Sequence, residues 1–305
     1  MATLPKILVI ILSWNRKKDT LETLASLSKS IVKGFTLEIL VVDNASTDGT
    51  PDKIKKLYPK VHIIINYKNL GFAEGNNIGM KYGLKNGFDY IALLNDDTVV
   101  DSNLIKKIFE EHQKNKKAGA ISPKIYFAEG FEFHKNRYKE SDKGNVIWYA
   151  GGVIDWKNIY GSNNGVDEVD RGQFNETQET DFTTGCFVMY KEKVLEKVGL
   201  YDKQYFAYME DMDHAQRIKM SGWKVLYSPK GYLWHKVSQS SSIGSELNDY
   251  YLTRNRMIFG LKYATLRTKQ ALIRESFRLL ISGRKWQKIG IRDYYLGKLG
   301  KGSWK

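Results

Sequence analysis

Residues 90–97 read Tyr-Ile-Ala-Leu-Leu-Asn-Asp-Asp. From Tyr90 to Leu94 no charged or amide side chain interrupts the run, so it does not alternate as a half-exposed strand would. It predicts a strand covered on both faces, the kind found in parallel sheets. Polarity then arrives at once in Asn95-Asp96-Asp97. Three upstream runs share the pattern: Ile7–Leu12 (ILVIIL), Leu37–Val42 (LEILVV) and Val61–Asn66 (VHIIIN). Between them, Leu21, Leu24, Leu27 and Ile31 recur at helical spacing over Lys17–Ile31, Pro51 suits the first turn of a short helix running to Leu57, and a further helix covers Glu74–Lys85. Strands alternating with helices predict an α/β fold with a mainly parallel sheet and right-handed crossovers. Such sheets bind ligands beyond the carboxyl ends of their strands.

Those carboxyl ends are the informative part. They carry Ser13-Trp14-Asn15-Arg16, Asp43, the segment Asn69-Leu70-Gly71-Phe72-Ala73-Glu74-Gly75-Asn76-Asn77, and Asn95-Asp96-Asp97. No GxGxxG follows the first strand and no GxxxxGK[ST] occurs, which excludes the dinucleotide fingerprint and the P-loop. An acidic pair at the mouth of a sheet suits Mg²⁺ or Mn²⁺, which bind through one or two carboxylates plus substrate phosphates. The same pair is equally the pattern of an Asx turn leading into a helix over Ser102–Glu111.

From Phe127 to about Thr180 periodicity is lost among Gly, Asn, Asp and aromatics, the mark of a functional or mobile stretch. A strand is expected over Phe182–Tyr190, helices over Glu192–Val198 and Met209–Met220, a last core strand over Lys224–Tyr227, and long helices from Asn248 onward. The Met209 helix opens on Glu210-Asp211-Met212-Asp213. The helix dipole favours acids there by about 0.3–1 kcal/mol each, so capping is one reading. Three carboxylates in four residues exceed what capping needs, and a carboxylate held near other negative charge has the raised pKa of a general base. His235, placed after the last core strand, has no partner at metal-ligand spacing. Cys186 lacks the flanking base of a nucleophile.

A single cysteine excludes a disulfide-stapled scaffold, and the longest aliphatic run is far shorter than the ~20 residues of a membrane span. Both point to the cytoplasm. The formal charge of +14 is concentrated at the end: Leu261–Lys305 holds twelve Lys or Arg against Glu275 and Asp293. A basic segment on a nearly balanced body suggests a local anionic partner, nucleic acid or an anionic membrane face, or else a solvated tail.

Taken in order, SWNR, VVDNASTDGT, NLGFAEGNNIG, ALLNDDTVVD, TGCFVMYKEKVLEKVGLYD, YMEDMDHAQRIKMSGWKV, WHKVSQSS and YYLTRNR resemble family 2 of the glycosyltransferases over roughly residues 5–260. Within it the chain looks most like the rhamnosyltransferase-type members that extend bacterial cell-surface polysaccharides. The resemblance implies a GT-A fold, a Rossmann-like mixed sheet, over residues 1–245. Its donor half would be about 1–126, its acceptor half about 127–245, with a basic C-terminal helical extension over 246–305. It implies inverting, metal-dependent transfer of rhamnose or another hexose from a dTDP- or UDP-sugar to a glycan or polyprenyl-diphosphate-linked acceptor. Asp43 matches the acid that bonds the pyrimidine, with Ser13, Asn15, Gly71, Asn76, Asn95 and Asp96 on the donor side. Asp97 matches the metal-binding acid and His235 a histidine that completes the metal shell, with Mn²⁺ or Mg²⁺ as cofactor. Asn95 replaces the first acid of the family's DxD. Asp211 matches the catalytic base, Glu210 and Asp213 its supports. Gly185 falls on the acceptor side, and Arg254 and Arg256 match a basic pair suited to diphosphate.

The basic end then has a use on the inner face of the cell membrane. Arg274, Arg278, Arg284, Lys285 and Lys288, interleaved with Leu272, Phe277, Leu280 and Trp286, make a basic amphipathic surface for anionic lipid. Among the rivals, a sugar-nucleotide pyrophosphorylase needs a glycine-rich loop after the first strand, where Ser13–Lys18 has no glycine. A nucleic-acid-binding protein rests on the tail alone and leaves the acidic pairs repelling phosphate, so no nucleic acid is expected as a partner. A non-catalytic carbohydrate-binding relative is disfavoured by the presence of both Asp97 and Asp211.

Overall fold

The computed structural model describes residues 3–134, 136–237 and 245–305. In the first hundred residues, strands β1 (Lys6–Ser13), β2 (Thr36–Asp43), β3 (His62–Ile65) and β4 (Tyr90–Asn95) alternate with helices α1 (Lys17–Leu27), α2 (Thr50–Leu57) and α3 (Gly71–Lys85). There follow β5 (Thr98–Val100), α4 (Leu104–Lys114), β6 (Ala118–Phe127), and the short strands β7 (Ile147–Tyr149), β8 (Gly152–Asp155), β9 (Tyr160–Asn163) and β10 (Gln178–Glu179). The chain continues through β11 (Phe187–Lys191), α5 (Glu192–Val198), α6 (Glu210–Met220) and β12 (Lys224–His235), then three helices, α7 (Glu246–Tyr263), α8 (Leu266–Ser282) and α9 (Lys285–Tyr295).

The central sheet runs β10-β12-β6-β11-β4-β1-β2-β3, with β5 on β12 and β7 on β6. β4, β1, β2 and β3 are mutually parallel, as are β6 and β12, while β11 lies antiparallel between β4 and β6. The unbroken apolarity of β1 follows from its place. Ile7, Val9 and Ile11 point into one buried cluster with α1, α2 and α4, and Leu8 and Ile10 into another with α3, α5 and α6. Burying each such side chain fully is worth about 1.5–3 kcal/mol, which fixes both layers at once.

Three elements differ from the sequence reading. β6 carries Pro123 inside a strand that the sequence did not signal; β12 pairs with it in parallel through a register shift between Ser228 and Tyr232. β12 itself runs on to His235, so this histidine closes the strand, not a loop after it. The strand expected over Phe182–Tyr190 forms only from Phe187. Residues 183–186 leave the ladder and carry Gly185 to the carboxyl edge of the sheet. The segment 246–305 does not form a separate appendage: Phe259 is fully buried in the same cluster as Leu8 and α6. Ser238–Ser241 of the WHKVSQSS motif lie outside the described residues.

Candidate active site

Strand registry alone assembles one wall of the cleft. Ser13 pairs with Asp43 across β1 and β2, and Leu12 with Asn95 across β1 and β4, so Asp43, Ser13 and Asp96 stand side by side at the carboxyl edge. Asp43 is fully buried; its Oδ1 accepts from the Ser46 N–H at 2.8 Å while Oδ2 has no protein partner. Asn15, with φ +53°, ties the edge to the next loop: its Oδ1 accepts from Thr47 N–H at 2.7 Å and its own N–H donates to Ser46 Oγ at 2.8 Å. The Ser13 and Thr20 hydroxyls are 2.7 Å apart. Burial, reinforced by the charge of Asp97, pushes the Asp96 carboxyl up to about 7.

Asp97 is buried and charged. Its Oδ2 accepts from Arg16 Nη1 at 2.7 Å, and His235 Nε2 lies 3.0 Å from Oδ1, close enough for an ion pair but without aligned hydrogen-bond geometry. Burial favours the neutral acid, yet His235 and Arg16 outweigh it and hold the Asp97 pKa below the usual carboxylate value. Burial likewise opposes charge on His235, but Cys186 and Asp97 override it and raise the imidazole to about 10. Trp148 packs edge-on against the His235 ring at 4.6 Å. Arg16 is a residue that sequence reasoning left unassigned. Its only signal was its position directly after the first strand.

The opposite wall starts at α6. Met209, its N-cap, has φ +71°, and the helix opens on Glu210, Asp211 and Asp213. Asp211 Oδ1 accepts from Met212 N–H at 2.8 Å and Oδ2 from Gly185 N–H at 3.3 Å. Burial raises its pKa to about 6 against those two donors. Glu210 is buried with Oε2 unpartnered, and burial together with Asp211 raises it well above an ordinary glutamate. The two walls are joined by main chain. Gly185 reaches Asp211, and the carbonyl of the next residue, Cys186, accepts from the Asn95 N–H at 2.9 Å. Asp211 and the Asn95-Asp96-Asp97 edge are therefore linked through the 184–186 turn, which forms the floor between them.

The donor set accommodates one divalent cation in part. Among the described residues no group of three or more His, Cys, Asp or Glu is arranged around a metal. Asp97 Oδ1 and His235 Nε2, 3.0 Å apart, match two adjacent ligands of an octahedral ion with 2.0–2.1 Å bonds, whose edges are about 3 Å, provided the cation displaces the imidazole proton that pairs with Asp97. Two protein donors leave the rest of the shell to phosphate and water, the usual state of Mg²⁺ sites.

Other expected residues fall elsewhere. Asp213 does not face the cleft. It is fully buried and accepts from Arg217 Nε at 2.7 Å, Lys262 Nζ at 2.7 Å and Tyr263 Oη at 2.8 Å, which joins α6 to α7. Arg254 and Arg256 are not an open diphosphate clamp either. Arg254 is fully buried with its guanidinium on the carbonyls of Gln204 and Tyr205; Arg256 forms a two-point pair with Glu275 at 3.1 and 3.0 Å. Aromatic and charged side chains on a long helix look alike in sequence whether they face solvent or core, which is why these arginines misled. Asn76 donates to the Phe72 carbonyl at 3.0 Å inside α3. Gly71, at φ +82°, leaves room for the Phe206 ring, which a Cβ would meet at 2.5 Å.

The sequence profile of glycosyl transferase family 2 matches residues 8–199. The chain is 26% identical over 228 residues to N-acetylglucosaminyl-diphospho-decaprenol L-rhamnosyltransferase of Mycobacterium tuberculosis, covering 72% of each protein. It is 23% identical to a poly-beta-1,6-N-acetyl-D-glucosamine synthase of Staphylococcus aureus, over 76% of this chain and 50% of that protein. The crystal structure of GalNAc-T7 with UDP, GalNAc and Mn²⁺ superposes with TM-score 0.59 at 17% identity, over 91% of this chain and 57% of that one. The chain thus spans about half the length of two of these relatives. Its mixed, mostly parallel sheet is the GT-A arrangement of glycosyltransferases, and the chain belongs to glycosyl transferase family 2.

Proposed function

We propose that the chain is an inverting glycosyltransferase of polysaccharide assembly. It moves rhamnose or another hexose from a dTDP- or UDP-linked donor to a hydroxyl of a glycan or polyprenyl-diphosphate-linked acceptor. The observation that carries the reading is the shared floor, in which Gly185 holds Asp211 while Cys186 beside it is bonded to Asn95. It supports an acceptor and a donor meeting between the two walls.

In this reading the free Oδ2 of Asp43 accepts the ring N–H that uracil and thymine share. Asp97 and His235 would hold Mn²⁺ or Mg²⁺, which when bound would supply Lewis-acid neutralisation of the departing diphosphate. Asp211 takes the proton of the acceptor hydroxyl as its oxygen bonds to the anomeric carbon and the carbon–phosphate oxygen bond breaks. A single displacement from the face opposite the leaving group inverts the anomeric centre, the logic of inverting hydrolases. Burial and the charge of Asp211 favour the protonated form of Glu210 beside it. The rhamnosyltransferase relative, named for a diphospho-decaprenol substrate, supports a lipid-linked acceptor.

A lipid-linked acceptor calls for a membrane face, and α8 supplies one that differs from the sequence expectation. Leu272 and Trp286 are buried and do not face outward, and Arg284, though exposed, is paired with Asp249. Instead Leu266, Ile273, Phe277 and Ile281 are exposed. At 3.6 residues per turn they share an arc of about 80°. Arg267, Arg274 and Arg278 run along one side of that stripe, a pattern for shallow seating on an anionic bilayer. Among the described residues no helix is long and apolar enough to cross a membrane.

The test is thermal shift with UDP, dTDP and their sugars, with and without Mn²⁺ or Mg²⁺. A cation-dependent rise in Tm with one nucleotide family is expected. Indifference to all of them would sink the reading.

A further inference from the structure

The segment that delivers Asp211 to the cleft is held in an unfavourable shape. Phe206, Tyr208 and Met209 have φ of +63°, +67° and +71°, the left-handed region that residues with a Cβ avoid. Such a conformation persists only when its surroundings over-determine it. Here every main-chain carbonyl from Gln204 to Met209 is engaged. Gln204 O accepts from Arg254 Nη2 at 3.2 Å and from Gly300 N–H at 2.8 Å. Tyr205 O accepts from Arg254 Nη2 and Asn255 Nδ2, each at 3.1 Å. Phe206 O takes the N–H groups of Phe72 and Ala73 at 2.7 and 3.1 Å. Ala207 O and Tyr208 O both accept from Asn255 Nδ2 at 2.8 Å. Met209 O accepts the Asp213 N–H at 3.0 Å within α6.

Arg254 and Asn255 are both fully buried and sit on α7, outside the sheet that carries the nucleotide wall. Residues 300–304 brace them from behind. Ser303 N–H donates to Asp293 Oδ2 at 2.8 Å and to Tyr250 Oη at 2.9 Å, Trp304 packs on Trp286 at 4.6 Å, and Gly302 leaves no room for a Cβ beside Tyr250. The Phe206 ring completes the hold, stacked on Tyr251 at 5.2 Å and lying over Gly71.

We propose that Arg254 and Asn255 are positioning residues that hold residues 204–208 in the shape that aims Asp211 into the cleft. The helical extension then belongs to the catalytic machinery without touching substrate. The proposal rests on Asp211 being the base. It assigns the TRNR stretch a role in the reaction rate and at most a small one in nucleotide affinity, since α7 does not hold the strands and turns of Asp43 and Asp97 and the 204–208 segment meets the donor side only at Gly71–Ala73.

The experiment compares wild type, Asn255→Ala, Arg254→Lys and Asp211→Asn in three measurements. These are hydrogen exchange over residues 204–212, affinity for UDP and dTDP with Mn²⁺, and release of nucleoside diphosphate from the nucleotide sugar giving the largest thermal shift. Asn255→Ala is expected to speed exchange in 204–209, leave nucleotide affinity within about twofold and slow turnover by ~10–100-fold, since misplacement by about 1 Å costs that order. Arg254→Lys moves the same way by less. If Asn255→Ala fails to fold, Asn255→Ser, which keeps one donor, carries the same expectation. Turnover within about twofold of wild type, or nucleotide affinity falling in step with turnover, overturns the proposal. Unimpaired Asp211→Asn withdraws the base assignment whatever Asn255→Ala does. An inactive Asp211→Asn beside an unimpaired Asn255→Ala overturns the positioning role alone.

Discussion

The Gly185 N–H points at Asp211 Oδ2 from 3.3 Å, and a Cβ on Gly185 would meet the Phe72 ring at 2.8 Å. The turn that carries this donor can approach the acid because it has no side chain there. The contact ties the entrance of α6 to the strand edge that holds Asn95.

Asp211→Asn keeps the size of the side chain and, on its one amide oxygen, the contact with either the Met212 or the Gly185 N–H, but abolishes proton acceptance. Sugar transfer is expected to fall ~10²–10⁴-fold or more, with the nucleotide-induced rise in Tm retained. Near-normal turnover in a steady-state assay would exclude Asp211 as base.

The pH profile follows from the same carboxyl. Burial raises its pKa to about 6, so it is ionised above that value and protonated below. A base must be ionised, so kcat/KM should be level near neutrality and fall tenfold per pH unit below about 6. A limb at the ordinary carboxylate pKa of about 4 would contradict the assignment.

Asp97→Ala removes the acid of the Asp97–His235 pair. The extra thermal stabilisation that Mn²⁺ or Mg²⁺ adds in the presence of UDP or dTDP should disappear, while any cation-independent part persists. Scanning calorimetry with and without a chelator reads both. An unchanged cation increment would place the metal elsewhere.

Asp213→Ala leaves Arg217 and Lys262 facing an empty buried site. Removing one partner of a buried pair costs about 3–5 kcal/mol, and the lower end is expected because the Lys262 side chain is 42% exposed. Burial opposes charge on Asp213, yet Lys262 and Arg217 hold its pKa below the ordinary value. The stabilisation is therefore present above the unfolded carboxylate pKa of about 3.9 and is lost as pH falls through the folded one. Denaturant melts of the variant at pH 7 and of wild type from pH 7 to 3 check both statements.

Phe277→Glu with Ile281→Glu places charge on the exposed stripe of α8. Seating a Phe or Ile side chain in an apolar phase is worth about 1.5–3 kcal/mol each, so co-sedimentation with anionic phosphatidylglycerol vesicles should drop more than tenfold. Added salt should weaken wild-type binding too. Equal binding of wild type to neutral and anionic vesicles would contradict the docking face.

The four parallel strands were legible because each is buried on both faces, which leaves a continuous apolar run such as Ile7–Leu12. The acids at their ends were legible as a set because parallel strands bring their carboxyl ends to one edge. β6 was not, since Pro123 and small residues hide a strand whose partner lies a hundred residues later. The contact of Arg16 with Asp97 spans 81 positions and leaves no periodic trace. Arg254 read as an anion binder because sequence carries its charge but not its burial among tyrosines. The held loop 204–209 was invisible for a related reason: its left-handed residues, Phe206, Tyr208 and Met209, have no glycine among them to announce the turn.

β11 enters the middle of the sheet against the run of its neighbours, so the turn before it, not the one after, arrives at the rim. The spacing between Asn95 and Asp211 is thereby measured out in peptide units. Main chain sets this ruler, and the buried Thr184 steadies it, its Oγ1 accepting from the Cys186 N–H at 3.2 Å.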